Sequence, residues 1–174
     1  MLKLHFGCGE IHLPNFINFD ARATKATDLT GSLEELLDKY PEGFETVYLC
    51  HVLEHFPLHK VSDALNCFYR LLTVSGEIYI SVPDFEILAS IYLAKRVALG
   101  TIVRAIHGGQ EYPENTHYIS FDTALLSSFL YQAGFRNLST YLPSDFLPPG
   151  IEDTSMYKIG GKYISLNLKA SKLS

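Results

Sequence analysis

Leu4-His5-Phe6-Gly7-Cys8-Gly9, followed eleven positions later by Asp20, is the stretch that decides how the 174-residue chain folds. Leu2, Leu4 and Phe6 alternate with Lys3 and His5, the period of a half-buried strand, and the run stops at Gly7. A second strand, Phe16 to Asp20, follows almost at once. Two glycines at the carboxyl end of a first strand let a ligand approach the backbone. An acid ending the neighbouring strand can accept two hydrogen bonds from ribose hydroxyls, so Gly7, Gly9 and Asp20 predict a nucleotide-type cleft. The plainer reading is a glycine turn beside a strand-capping aspartate. The dinucleotide pattern fails in any case: its third glycine would stand at position 12, where the chain has His12, and its acid lies about 20 residues on, not the thirteen that separate Gly7 from Asp20.

Outward from this stretch the chain alternates strands and helices. Thr27 to Leu29 reads as a very short strand. Ser32 and Glu35 form a capping-box pair opening a helix to about Tyr40, and Phe44 to Cys50 is the next strand. After Pro57, the residues Val61, Ala64, Leu65, Phe68, Leu71 and Leu72 share one helical face, and Ser75-Gly76 ends that element before a strand from Glu77 to Val82. Strand, crossover, strand is the signature of a mostly parallel sheet wound by helices. Asp84 then caps a helix predicted to run through Leu99, a polar loop spans His107 to His117, and Asp122 to Ala133 is a further helix closed by Gly134. Phe135 to Tyr141 and Lys162 to Ala170 are strands joined without a helix, which predicts an antiparallel pair.

Composition narrows the function classes. Hydrophobic residues make up 47% and charged residues 19%, enough apolar side chain for one packed core and too much for a disordered chain. No apolar run is long enough to span a bilayer, so membrane insertion is not expected. The start of the chain reads without a secretory signal, and the cysteines Cys8, Cys50 and Cys67 are odd in number, so a reducing cytoplasm is the expected compartment. With 14 basic against 19 acidic side chains the net charge is −5, which argues against nucleic acid as partner and for a small molecule.

Taken together, Phe6-Gly7-Cys8-Gly9, Asn18-Phe19-Asp20, Asp28-Leu29, Cys50-His51-Val52-Leu53-Glu54-His55-Phe56 and Gly76 to Asp84 resemble, in order and context, the class I S-adenosyl-L-methionine-dependent methyltransferases. The small bacterial predicted methyltransferases of that class are the narrower likeness. The resemblance implies an α/β domain over 1–174: a doubly wound, mostly parallel seven-stranded sheet with an antiparallel final strand. It also implies S-adenosylmethionine as cofactor. Gly7 and Gly9 would lie along the methionine moiety, with Phe6 and Cys8 also in the cofactor site, Asp20 would hold the ribose, Asp28 and Leu29 would border the adenine, and His51 would begin the loop beside the sulfonium. The eleven steps from Gly9 to Asp20 leave no room for the family's full first helix, so a shortened first crossover is expected.

Residues 85–117 would then supply the substrate side, with His55, His107 and Gln110 as substrate-side candidates. A hydroxyl acceptor needs a general base, and His117 and His51 are the candidates, imidazole being suited to neutral pH. Relatives that methylate exocyclic base amines carry an Asn/Asp-Pro-Pro-aromatic tetrapeptide after the fourth strand. The chain has His51-Val52-Leu53-Glu54 there, so a small-molecule acceptor, such as a sugar or another cell-envelope precursor, is expected. Two other readings stand beside this one. His51-Val52-Leu53-Glu54-His55 matches the zinc pattern H-x-x-E-H literally, the basis for a hydrolase using His51, Glu54 and His55. That pattern needs one continuous helical turn, whereas His51 follows a strand directly and Pro57 disfavours helix at Phe56, so no metal is expected. A protein that binds the cofactor or a partner without turnover is the remaining alternative.

Overall fold

The computed structural model describes residues 2–173; Met1 and Ser174, the ends of the expected domain, lie outside the described residues. A seven-stranded sheet forms the centre. Its strands are β1 (Leu2–Phe6), β2 (Ile17–Asp20), β3 (Leu29–Thr30), β4 (Phe44–Cys50), β5 (Leu72–Pro83), β6 (Arg136–Thr140) and, after a small hairpin of β7 (Lys158–Ile159) and β8 (Lys162–Tyr163), β9 (Ser165–Ser171). The order is β3-β2-β1-β4-β5-β9-β6, and β9 alone runs antiparallel to its neighbours. The direction of winding reverses between β1 and β4, so their carboxyl ends frame the crevice where ligands bind in such sheets.

Alternation along β4 assigns the two faces. Val47 and Leu49 enter one apolar core, where α1 (Leu33–Lys39), α2 (Leu58–Leu71) and α5 (Thr123–Gln132) cover the sheet. Tyr48 and Cys50 enter another, closed by Leu13, Leu147 and the one-turn helix α6 (Pro143–Phe146), whose Phe146 stacks on Tyr79. The amphipathic face read for α2 is the buried one: Val61, Ala64, Leu65, Phe68 and Leu71 all point inward. The Ser32/Glu35 capping box and the Asp84 and Asp122 caps form as their side chains dictate.

The connection from β1 to β2 contains no helix, in agreement with the expected shortening. Ten residues, Gly7 to Phe16, return the chain to a parallel neighbour, fewer than the dozen or more such a crossover usually takes. The buried Asn18 side chain supplies what a helix would have. Its Oδ1 accepts from Leu13 N at 2.8 Å and from His5 Nδ1 at 3.1 Å; its Nδ2 donates to Leu13 O, Phe16 O and Asp28 Oδ2. Because Oδ1 can only accept, His5 carries its proton on Nδ1.

Three boundaries differ from the sequence reading. The helix expected from Asp84 to Leu99 breaks into α3 (Phe85–Leu93) and α4 (Leu99–His107), with Lys95 in a left-handed turn at φ 55°. The break lets Leu88 and Ile91 of α3 and Ile102 of α4 converge on Ile159 and Ile164, which one straight helix could not arrange. The strand expected from Lys162 splits at Ile164, whose carbonyl accepts from Asp84 N; beyond it Leu166, Leu168 and Ala170 face inward as the alternation predicts. Ser75-Gly76 does not end an element but forms an irregularity inside β5, because Ser75 N and Gly76 O both bond Lys172 of the returning chain.

Asn18→Ala strands Leu13 N, Leu13 O and the His5 proton in a buried place, so it is expected to cost about 3 kcal/mol, read as a lower urea midpoint at unchanged m. His5 adds a pH dependence. Burial holds its pKa below the ordinary 6.5, so the unfolded chain takes up the proton first and stability falls as pH drops below about 6.5. Urea titrations at pH 7 and pH 5 are expected to show a smaller loss for His5→Gln than for the wild type.

Candidate functional site

A cavity of about 820 Å³ opens at the carboxyl ends of β1, β2 and β4. One wall is the Gly7-Cys8-Gly9 turn. Gly7 N and Cys8 N both donate to Phe19 O, at 2.7 and 3.0 Å, which clips the turn to β2. The two glycines serve different ends. A Cβ on Gly7 would meet Val52 Cγ2 at 2.4 Å, so Gly7 is required for packing, whereas a Cβ on Gly9 would meet nothing within 4 Å. Both have positive φ, 72° and 54°. Asp20, at the end of β2, lines the cavity beside them; its Oδ2 accepts from Gly9 N at 2.8 Å and its Oδ1 from Arg22 N at 2.9 Å. Phe6 lines the floor, stacked on Phe19 at 5.0 Å between centroids.

The connection after β4 holds a buried charge beside the cavity. His51 leaves β4 with φ 54°, a left-handed conformation rare for a side chain of its size, and Leu53–His55 then form a single 3₁₀ turn. The turn drives Glu54 into the interior, where its side chain is 1% exposed and neither carboxylate oxygen has a hydrogen-bond partner. Three imidazoles surround it. His51 Nδ1 lies 3.3 Å and His117 Nε2 3.9 Å from Glu54 Oε1, and the His55 and His117 rings meet edge to face at 4.7 Å. Tyr118 N donates to Glu54 O at 2.8 Å, tying the turn to the segment that carries His117.

Backbone contacts orient the rings. His55 Nδ1 donates to Thr116 O at 3.0 Å and His117 Nδ1 to Ala105 O at 3.1 Å, so in both residues the Nε2 lone pair is left free. Ser165 Oγ donates to Thr154 O and therefore accepts from His51 Nε2 at 2.9 Å, which engages the second nitrogen of that ring. Burial disfavours an ionised Glu54, but the histidines at its side outweigh this and hold its pKa below the ordinary carboxylate value. Burial likewise holds the His117 pKa below the ordinary 6.5, against the pull of Glu54.

The cavity thus gathers Phe6, Gly7, Cys8, Gly9, Asp20, His51, His55 and His117. It leaves out Asp28, Leu29, His107 and Gln110. Asp28 is turned to structural use, its Oδ2 accepting from Asn18 N and Asn18 Nδ2 at 2.9 Å, while Gly31, Ser32 and Leu33 line the cavity where Asp28 and Leu29 were expected. His107 and Gln110 are exposed and bonded to each other, Gln110 Nε2 donating to His107 O; their neighbours Gly108 and Gly109 are the lining residues. The H-x-x-E-H residues do not share a helical turn, because His51 ends a strand in a left-handed conformation before the 3₁₀ turn begins. Burial raises the thiol pKa of Cys8, Cys50 and Cys67, so none is an activated nucleophile.

Several lining residues were not legible beforehand. Asp153 and Thr154 come from the Pro/Gly-rich stretch before β7 and are fixed from below, Asp153 Oδ2 by Tyr48 Oη at 2.6 Å and Thr154 by Cys50. Arg104 reaches the cavity from α4 and pairs with Glu111; Arg22 lies over the Tyr112 ring at 4.2 Å. Only Arg104 carries a sequence signal, since Lys95, Arg96 and Arg104 lie close together along the chain; in the fold Lys95 and Arg96 fall in the break between α3 and α4, and Arg104 lies on α4.

No family model matches the chain, and no curated protein sequence matches it. Solved structures match its fold. A SAM-dependent methyltransferase from Archaeoglobus fulgidus is 16% identical and superposes with a TM-score of 0.59, over 98% of this chain and 86% of its own. One from Thermotoga maritima is 14% identical, with a TM-score of 0.61 over 98% and 82%. Human N-acetylserotonin methyltransferase, solved in complex with SAM, is 17% identical, with a TM-score of 0.52; the match covers 99% of this chain and 41% of the human one. The likeness is one of fold: the sheet is that of the SAM-dependent methyltransferases.

The two glycines make opposed predictions. Gly7→Ala combines a left-handed backbone with a clash against Val52 and is expected to cost about 3 kcal/mol, whereas Gly9→Ala carries the backbone penalty alone, about 1 kcal/mol. Thermal or urea denaturation of the two variants checks the difference.

Proposed function

We propose that the chain is an S-adenosylmethionine-dependent methyltransferase whose acceptor is a small hydroxylated molecule, such as a sugar or another cell-envelope precursor. One observation carries this reading: the cavity sits where the sheet reverses direction, with the unobstructed Gly9 on one lip and Asp20 beside it. The residues fit the cofactor. Open space where a Gly9 side chain would stand suits close approach of the methionine end to the backbone, Gly7 to Gly9 would hold that end, and Asp20 retains acceptor capacity for ribose hydroxyls. Gly31 to Leu33 would border the adenine in place of Asp28 and Leu29. About 820 Å³ is enough for a nucleoside-sized molecule with a small acceptor beside it.

When bound, S-adenosylmethionine supplies an electrophilic methyl group on a positively charged sulfur. The protein's part is alignment and exclusion of water. Of the two expected bases, His51 donates Nε2–H to Ser165 and turns Nδ1 to the buried Glu54, whereas His117 keeps Nε2 free of hydrogen bonds and burial favours its neutral form, so His117 is the residue suited to take a hydroxyl proton. Arg104, Tyr112 and Asp153 add polar groups able to orient the acceptor. The net charge of −5 supports a small acceptor over nucleic acid. Among the described residues no helix is long and apolar enough to cross a membrane.

Calorimetric titration with S-adenosylmethionine tests the reading. The wild type is expected to bind, and Asp20→Asn to bind about 50-fold more weakly, in line with loss of a charged hydrogen-bond acceptor. Undetectable wild-type binding at millimolar ligand would sink the proposal. Binding without methyl transfer across a broad panel of hydroxylated acceptors would leave a cofactor-binding protein without turnover.

A further inference from the structure

We propose that Glu54, His55 and His117 form a binding site for one divalent cation of the zinc type, opening onto the acceptor side of the cavity. Each of the three offers one ligand atom, and these atoms lie within 4.8 Å of one another. His55 and His117 donate Nδ1–H to the carbonyls of Thr116 and Ala105, and a backbone carbonyl on the far nitrogen is how metal-binding imidazoles are usually held. The rings are thereby fixed with both Nε2 lone pairs unengaged.

Glu54 supplies the independent sign. A carboxylate 1% exposed, with imidazole nitrogens 3.3 and 3.9 Å from Oε1 and no polar partner on Oε2, is an expensive arrangement that a cation joining it would relieve. His51 stands 3.3 Å from Oε1 and serves to position Glu54, since its own ring is anchored on Ser165. Two imidazoles and one carboxylate select zinc and its first-row neighbours over magnesium or calcium, which prefer oxygen alone. Three protein ligands leave further positions open. His55 and His117 both line the cavity, so those positions face the space left for an acceptor. This is not the H-x-x-E-H pair of a zinc hydrolase: the second histidine comes from the 107–117 loop, and His51 is outside the ligand set.

The catalytic use of the cation rests on the methyl-transfer reading; its binding does not. There, a zinc-type ion would act as a Lewis acid on an acceptor hydroxyl, easing loss of its proton to solvent in the open cavity while the oxygen takes the methyl from sulfur, and His117 would be a ligand in place of a base.

The test uses the full chain, stripped with chelator and dialysed against Zn2+, with metal measured by elemental analysis. About one equivalent is expected to be retained, with Mg2+ not competing. His55→Ala and His117→Ala should each weaken Zn2+ binding by more than about 100-fold, beyond the cost of losing an outer partner. His59→Ala, an exposed histidine on α2, should change nothing. A measurement free of substitutions guards against misfolding: wild type loaded with Co2+ should show two paramagnetically shifted N–H proton signals that vanish in D2O, from the Nδ1 protons of His55 and His117. Less than half an equivalent of Zn2+, preference for Mg2+, full retention in both alanine variants, or absence of the shifted signals would each overturn the proposal. Titration of the same preparation with S-adenosylmethionine keeps this outcome separate from failure of the methyltransferase reading.

Discussion

The site depends on a short piece of chain that turns back without a helix. Ten residues between β1 and β2 must satisfy their own backbone groups and still leave Gly9 and Asp20 side by side. A full helix would have satisfied those groups within itself. Here one buried amide, Asn18, takes them up, and Asp28 in turn takes up the amide's own protons and backbone N–H. That chain of dependence runs from β3 through Asn18 to Leu13, and it fixes the height at which the glycine turn meets the cavity. It also explains why Asp28 sits outside the cavity: the carboxylate is committed to holding the crossover together.

The second constraint is the charge that the β4 connection buries. His51 accepts a left-handed backbone, which costs on the order of 1 kcal/mol, and the turn that follows aims Glu54 inward while His51 and His55 stay at the cavity surface. The rest of that carboxylate's surroundings come from elsewhere in the chain. His117 arrives from sixty-three positions later in the chain, placed by a hydrogen bond to Ala105 O and by the Tyr118 contact with Glu54. The crowding of three imidazoles about one buried carboxylate makes this the most electrostatically specialised part of the molecule, and its histidines line the same cavity as the glycine turn.

Much of the fold was legible because the signals are local. Alternation in β1 and β9, the apolar face of α2 and the caps at Ser32, Asp84 and Asp122 each need only a few neighbouring residues to be read. Errors fell where a distant contact overrode the local preference. A helix from Asp84 to Leu99 satisfies propensity, but burying Ile102 beside Ile91 against Ile159 and Ile164 breaks it at Lys95. Ser75-Gly76 looks like a terminus until Lys172 bonds on either side of it.

The candidate site divides in the same way. By itself the sequence determined one lip of the cavity, because two glycines ending a strand and an acid ending its neighbour are constraints on backbone conformation and strand ends that local spacing records. It also marked His51, Glu54, His55 and His117 as chemically interesting. Only the tertiary structure decided that Glu54 is buried, that His55 and His117 come beside it with Nε2 free of hydrogen bonds, and that Asp153 and Arg104 join the wall while His107 and Gln110 do not. The reason is physical: burial, ring orientation and charge neutralisation are set by which carbonyls and side chains meet across the fold, and no spacing within one segment encodes those meetings.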